Sequence, residues 1–275
     1  MRWLCLPVLC DITTALIIPE ETIAEAEIIA KSSGVVAGVE EAKILLESLR
    51  LRAETLVSDG EKIKQKQTLI KISGNARIIL SAERTLLNIL SRMSGIATTT
   101  KMLTEKLQKA GLKTKIACTR KTAPGLSYFD KKAVLIGGGD THRLHLDDMI
   151  LIKDNHVVVA GSIKKAVEKA KKQASMSKKV EAEVARVEDA LVAAEAGADI
   201  IMLDNFSPDQ IEKAVQLLKK KKLYGKVLLE ASGGITAKNL VKFASTGVHV
   251  VSLGELTHST RALDVSLEIM KTSRH

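Results

Sequence analysis

The 275-residue chain is 45% hydrophobic and 27% charged, a composition that excludes a disordered protein and lets it bury one large core or two modest ones. A net charge of +10 suits an anionic partner, but with only 2% aromatic residues, stacking platforms for single-stranded nucleic acid are nearly excluded. Three cysteines, Cys5, Cys10 and Cys118, form no CxxC pair, which argues against a disulfide framework or zinc cluster and fits a reducing, cytoplasmic setting.

In chain order, MRWLCLPVLC imitates a signal peptide with one arginine and a short apolar run, but no small-residue cleavage pattern follows it. No other apolar run reaches the length of a membrane span. AEAEIIAKSSGVVAGVEEAKILLESL alternates, turns at Ser-Ser-Gly and then takes a helical period, and LRAETLVSDGEKIKQKQTLIKISG reads as two or three strands around Asp59-Gly60. Together these predict a small α+β domain over about Pro19 to Ser73. A long helix is predicted from about Ser81 to Ala110 on the spacing of Leu86, Leu87, Ile89, Leu90 and Met93, kinked or interrupted at Gly95.

After Gly111 the rhythm becomes strand, loop, helix, strand. Apolar runs end near Thr119, Ile152, Val184, Leu203, Ala231 and Leu253, and the later helical patterns close on Gly197, Gly225 and Gly247. Such βα units argue for a parallel sheet with right-handed crossovers, either doubly wound or a barrel. The lysine-rich stretches Lys164 to Lys172, Lys178 with Lys179, and Lys219 to Lys222 fall on or after amphipathic helical patterns, so they read as solvated faces and helix C-termini rather than a nucleic-acid groove.

The residues at the C-terminal strand ends carry the functional argument. In order they are Arg120 and Lys121, Lys153, Glu183, Asp204, Ser232 with Gly233 and Gly234, and Gly254. In a (β/α) barrel that face holds the active site, and the loops after the last strands bind phosphate. Arg120, Lys121, His142, Arg143 and Lys153, if they converge, form a pocket in which each adjacent like-charge pair at about 4 Å costs about 4 kcal/mol at an effective dielectric near 20. A multiply anionic ligand such as a dicarboxylate would offset that repulsion through charge-assisted bonds of about 1.5–3 kcal/mol each. Arg120 and Lys121 can face one site only if the strand ends before them, as Pro124-Gly125 suggests. Glu183 and Asp204 suit Mg²⁺, ribose hydroxyls or a cationic sugar transition state, with a salt bridge to strand-end lysines as the plainer alternative. Glu181 faces the same side as Glu183, deeper in the strand.

The glycines of IGGGDTHR lack the Lys-Ser/Thr ending of a P-loop, whereas ASGGI and VVSLGEL follow late strands and are better phosphate cradles. Cys118 reads as a packed strand residue rather than a thiol nucleophile. His156 and His258 read as ordinary polar loop residues.

ERTLLNILSRMSGIAT, TRKTAPG, DKKAV with GGGDTHR, LIKDNH, the E-A-E of VEAEV, AGADIIMLDN, EASGGI and SLGELTHS occur in the order and spacing of the quinolinate phosphoribosyltransferases, and the chain resembles that family from about Asp11 to its C-terminus. The resemblance implies an α/β protein: an N-terminal α+β open-sandwich domain over residues 1–94, completed by the C-terminal segment 257–275, and an incomplete (β/α) barrel over 95–256. It implies transfer of phosphoribose from phosphoribosyl pyrophosphate to quinolinate with Mg²⁺, giving nicotinate mononucleotide, pyrophosphate and CO₂. On that likeness Thr119, Arg120, Lys121, His142, Arg143 and Lys153 bind the quinolinate carboxylates and nearby phosphate, and Glu183 and Asp204 address the ribose hydroxyls and the metal. Ser232, Gly233, Gly234 and Gly254 hold the 5′-phosphate, and Lys121, Lys153, Glu183 and Asp204 are the catalytic set. Arg84 reaches a neighbouring subunit's site, so a homodimer, or a hexamer built as a trimer of dimers, is implied, with no nucleic acid or membrane as partner. MRWLCLPVLC departs from the family pattern, which begins with a helix and has glycine where Cys10 stands.

Three other readings compete. ModD-like proteins linked to molybdenum uptake share the TRKT and GGG-HR segments but lack the intact LIKDNH pattern, so Lys153 favours the transferase. A Schiff-base aldolase using Lys153 leaves the surrounding cations and phosphate turns unexplained. A basic nucleic-acid-binding protein predicts salt-dependent DNA affinity and no turnover.

Overall fold

The computed structural model describes residues 11–273; the signal-like opening with Cys5 and Cys10 lies outside them. The elements in order are α1 (Ile12–Ile17), β1 (Ile23–Ala30), β2 (Gly34–Val35), α2 (Val39–Ser48), β3 (Arg52–Thr55), β4 (Lys62–Ile63), β5 (Thr68–Asn75), α3 (Ala76–Lys109), β6 (Lys115–Cys118), α4 (Ser127–Ile136) and β7 (Ile150–Ile152). There follow α5 (Asp154–Ala160), α6 (Ile163–Gln173), β8 (Val180–Val184), α7 (Val187–Glu195), β9 (Ile200–Asp204), α8 (Pro208–Lys220), β10 (Leu228–Ser232), α9 (Leu240–Ala244), β11 (Val250–Leu253), α10 (Glu255–His258) and β12 (Val265–Ser273). No helix among the described residues is long and apolar enough to cross a membrane.

Two compact units emerge. The first takes the described residues up to Lys101, then 128–138, and those from Thr260 onward. Its antiparallel sheet has the order β12-β1-β5-β3, so the C-terminal strand is an edge strand paired along β1 from Ala30–Val265 to Ile23–Ser273. Alternation along β1 buries Ala24, Ala26, Ile28 and Ala30, and this face packs with Leu46 of α2 and Leu86 and Leu90 of α3 into one apolar core. The helix expected to kink or break at Gly95 instead runs unbroken from Ala76 to Lys109. Glycine is required there for a tertiary reason, because a Cβ on Gly95 would sit 1.9 Å from the Arg261 carbonyl oxygen. Close approach of backbone, rather than a bend, is what the missing side chain permits.

The second unit takes residues 102–127 and 139–259 and is built on a six-stranded parallel sheet in the order β6-β11-β10-β9-β8-β7. Every strand pair is parallel and in register, with α6, α7, α8 and α9 as crossovers, the arrangement of a barrel short of eight strands. Asp140 extends the β6 edge by a parallel bridge to Ala117, with its amide donating to the Ile116 carbonyl (2.7 Å) and its carbonyl accepting from the Cys118 amide (3.1 Å). Capping is local and sequence-encoded: Ser207 and Gln210 form a reciprocal box around Pro208 at the start of α8, and Lys219 and Lys220 lie in its last turn.

Candidate active site

Because all six strands run the same way, their C-terminal ends open on one face, and there a cavity of about 810 Å³ is found. Its walls hold Thr119, Arg120, Lys121, His142, Arg143, Lys153, Glu183, Asp204, Ser232, Gly233, Gly234 and Gly254. Every residue expected at the site from the sequence lines it except Arg84, which is exposed on α3 in the first unit.

The cationic wall depends on β6 ending early. The strand stops at Cys118, and the Lys121 amide then turns back to donate to Thr119 Oγ1 at 3.2 Å. Freed from strand alternation, Arg120 and Lys121 line the same cavity. The turn is pinned from the far side of the chain: Thr257 Oγ1 on α10 donates to the Lys121 carbonyl at 2.8 Å. Gly254 makes room for this, since a Cβ there would meet the His258 ring at 3.0 Å and Lys121 Cδ at 3.5 Å. Burial and the Arg120 charge push the Arg143 guanidinium down from its ordinary range, with Glu181 and Glu183 opposing them. The two arginines therefore stand close enough to repel, as a site built for an anion requires.

The acidic side is partly neutralised. Lys153, the residue preceding α5, places Nζ 3.1 Å from Glu183 Oε2, so the salt bridge and the lining position both hold. His156 closes the first turn of α5, its Nδ1 accepting from the Lys153 amide at 3.0 Å. Asp204 accepts from Asn205 Nδ2 at 2.7 Å, and the Asn205 amide donates to the Ser232 carbonyl at 2.8 Å. These contacts dock the turn after β9 onto that after β10. Gly233 is dictated twice, by a φ of 93° and by Asn205, whose Oδ1 would lie 2.2 Å from a Cβ.

Beneath the mouth lies a buried polar layer. Glu181 of β8 and Glu230 of β10 project inward from alternate strands, as barrel layers do. His142 Nε2 lies 3.2 Å from Glu181 Oε2 and 3.4 Å from Glu230 Oε2. Burial alone would lower the imidazole pKa, but the two carboxylates outweigh it and lift it to about 10. Burial likewise raises Glu181. The Arg143 amide donates to His142 Nδ1 at 2.8 Å, so Nδ1 offers a lone pair and the ring proton sits on Nε2, facing the carboxylates. Because burial raises the Glu181 carboxyl beside it, the proton is shared between the imidazole and Glu181 rather than held by the ring alone. The same tautomer disfavours a metal at these three residues, although their ligand atoms lie within 4.8 Å of one another: Nε2 presents hydrogen, not a lone pair.

Sequence reading missed Glu230, Ser252 and Asn205, and took His258 for an ordinary loop residue; all four line the cavity. Glu230 was recoverable. It precedes Ser232 by two residues, as Glu181 precedes Glu183, so strand alternation aims it inward beneath a residue already assigned to the mouth.

Comparison with known proteins adds a second line of observation. Residues 11–94 match the model of the quinolinate phosphoribosyl transferase N-terminal domain, and residues 96–268 that of its C-terminal domain. The chain belongs to the quinolinate phosphoribosyltransferase family. Within it, a probable carboxylating nicotinate-nucleotide pyrophosphorylase of Methanothermobacter thermautotrophicus is 44% identical over 94% of this chain and 93% of that protein. The carboxylating nicotinate-nucleotide pyrophosphorylase of Homo sapiens is 38% identical over 90% of this chain and 82% of that protein. The solved structure of the nicotinate-nucleotide pyrophosphorylase from Francisella tularensis superposes with a TM-score of 0.86 at 40% identity, covering 94% of this chain and 90% of that one.

Proposed function

We propose that the chain transfers phosphoribose from phosphoribosyl pyrophosphate to quinolinate and decarboxylates the adduct, giving nicotinate mononucleotide, pyrophosphate and CO₂, as a pentosyltransferase of NAD biosynthesis. One observation carries the reading: Arg120, Lys121, Arg143 and Lys153 line the same cavity as Glu183, Asp204 and the Ser232–Gly234 turn. A pyridine dicarboxylate meets the cations, a ribose meets the carboxylates, and a 5′-phosphate meets a glycine turn of the kind that gathers backbone N–H groups around an anion. Family membership supports the same reaction.

No protein nucleophile is needed. The pyridine nitrogen forms the bond to C1 of the ribose as the C1–O bond breaks, and the electron pair leaves with pyrophosphate. The arginines and lysines hold the ring in line, and Glu183 and Asp204 stabilise the cationic character that develops on the sugar. The carbon–carbon bond to the 2-carboxylate then breaks, CO₂ departs, and the electron pair left on the ring carbon takes a proton from water. Glu183 and Asp204 also fit a magnesium ion: both are hard oxygen donors near the ends of adjacent strands, and such sites use one or two carboxylates with substrate phosphates. When bound, the ion neutralises charge on the departing pyrophosphate.

Arg84, exposed on α3, is proposed to complete the site of a second copy. Inactive Arg84→Ala protein mixed with Arg120→Ala protein should regain activity, because one mixed site is intact; no regain despite demonstrated subunit exchange counts against it. The cytoplasm is the proposed compartment, in keeping with the family. The deciding assay mixes the protein with quinolinate, phosphoribosyl pyrophosphate and Mg²⁺ and measures nicotinate mononucleotide and CO₂, with nicotinate as the alternative acceptor. No product from quinolinate with folded protein rejects the reading.

A further inference from the structure

Family likeness makes His142 a ligand for a substrate carboxylate, yet both of its ring nitrogens already face protein partners. Nδ1 accepts from the Arg143 amide at 2.8 Å, and Nε2 points at Glu181 and Glu230, 3.2 and 3.4 Å away. Glu230 is itself fixed, its Oε1 accepting from Ser252 Oγ of β11 at 2.6 Å. The His142 backbone is held in the left-handed region, φ 52°, where its amide donates to Asp140 Oδ1 at 2.8 Å, and Asp140 is bridged to the edge of β6. A non-glycine residue in that conformation is strained and persists only where its surroundings over-determine it. Here they do, from β6, β8, β10 and β11 together, and the imidazole side chain is only 12% exposed.

We propose that His142 is a positioning residue: with Nε2 at ion-pair distance from Glu181 and from the Ser252-held Glu230, it uses Nδ1 to fix the Arg143 main chain, so that Arg143 and not His142 contacts the substrate. The inference rests on the quinolinate reading of the cavity and deepens it, assigning recognition on this side to a guanidinium and placing Glu230 and Ser252 in the machinery behind it. It carries a steric corollary. Substitutions that keep an acceptor at the Nδ1 position preserve function, whereas those that keep only a donor at the Nε2 position do not.

Asparagine and glutamine separate the two ends of the ring. In His142→Asn the side-chain amide can place an oxygen where Nδ1 was, and asparagine tolerates positive φ; in His142→Gln the longer side chain reaches the Nε2 position but leaves the Arg143 amide without its partner. Steady-state kinetics should show KM for quinolinate, or kcat/KM, worsened by about tenfold or more in His142→Gln and His142→Ala but by no more than about threefold in His142→Asn, since misplacing a binding group by about an ångström costs up to about 100-fold. KM for phosphoribosyl pyrophosphate should move less than that for quinolinate in all three; a general structural defect would move both. In a double-mutant cycle, His142→Ala with Arg143→Ala should be no worse than Arg143→Ala alone. Glu230→Leu should resemble His142→Ala, with Glu230→Gln largely restoring activity, and Glu230→Leu takes the place of His142→Ala in the cycle if the latter does not fold.

Losses that multiply in the cycle, or a His142→Gln enzyme at the wild-type level beside an impaired His142→Asn, overturn the proposal. If both amide variants are impaired the cycle decides, and if neither is impaired the proposal falls. A wild-type protein that makes no product fails the reading of the reaction instead, whereas wild-type turnover with multiplying losses fails this inference alone.

Discussion

Each compact unit buries an ionic group, and the two groups are built to opposite standards. In the first, Arg92 of α3 holds Asp130 of α4 in a bidentate pair, Nε to Oδ1 at 2.6 Å and Nη2 to Oδ2 at 2.8 Å, with Asp130 fully buried. In the second, among the described residues, neither Glu181 oxygen has a hydrogen bond, and His142 Nε2 lies at ion-pair distance without hydrogen-bond alignment. A closed pair has satisfied its geometry and can only hold segments together. An open cluster directly beneath a cationic mouth keeps a cost that stability alone gives no reason to keep, and that cost is the mark of a functional site.

The contrast is broken most forcefully at Arg92. Arg92→Leu deprives a fully buried carboxylate of its guanidinium, and losing one partner of a buried pair costs about 3–5 kcal/mol. Thermal unfolding should show the first unit losing on the order of 10 °C, while KM for quinolinate in the surviving folded protein changes little. A shift of only a degree or two would mean that the pair contributes no more than a surface bridge.

The open cluster should instead respond to pH. Within it the His142 pKa is raised from the imidazole's ordinary 6.5 to about 10, so the stabilisation His142 supplies is fully present below about pH 6.5 and disappears as the pH rises toward 10. One proton limits the slope to about 1.4 kcal/mol per pH unit. Thermal midpoints of wild type and His142→Asn should diverge most at about pH 6.5 and converge by about pH 10. Parallel curves would show that no such proton is held.

How much of this was legible beforehand follows from the same contrast. The mouth was readable because each of its residues closes or follows an apolar run, so a linear string reports the end of a strand and hence one face of the barrel. Arg120, Lys153, Glu183, Asp204 and Ser232 were found that way. Glu230 lies inside the run VLLEAS, where a single acid looks like an interruption unless alternation is counted back from Ser232. The tautomer of His142 was not legible at all, because it depends on a left-handed backbone and on the amide of the next residue. Gly95 failed differently: propensity marked a helix breaker, and the need was for the Arg261 carbonyl, far away in sequence.

Glu181→Gln probes the cost carried by the open cluster. Burial already disfavours its charged form, so the amide removes a penalty as well as an ionic partner, and stability should change by less than about 1 kcal/mol. Activity should fall nonetheless, since the Nε2 grip on His142 is altered. Denaturant midpoints beside kcat/KM give both numbers, and a large loss of stability with full activity would reverse the assignment.

The smallest effect is expected where an ion pair is neither closed nor buried. Lys31, the residue after β1, meets Glu268 of the edge strand β12 at 2.6 Å, a shorter contact than many in the barrel, yet their side chains are 42% and 46% exposed. Distance alone would rank this pair with Arg92–Asp130. Solvent screening and the entropy of two long side chains reduce it to about 0.2–1 kcal/mol, because what separates the pairs is desolvation rather than separation. Lys31→Met should therefore shift the thermal midpoint by no more than about 3 °C, and the difference from wild type should vanish in about 1 M salt. A loss as large as that of Arg92→Leu would mean that β12 is held to β1 by this charge and not by its backbone ladder.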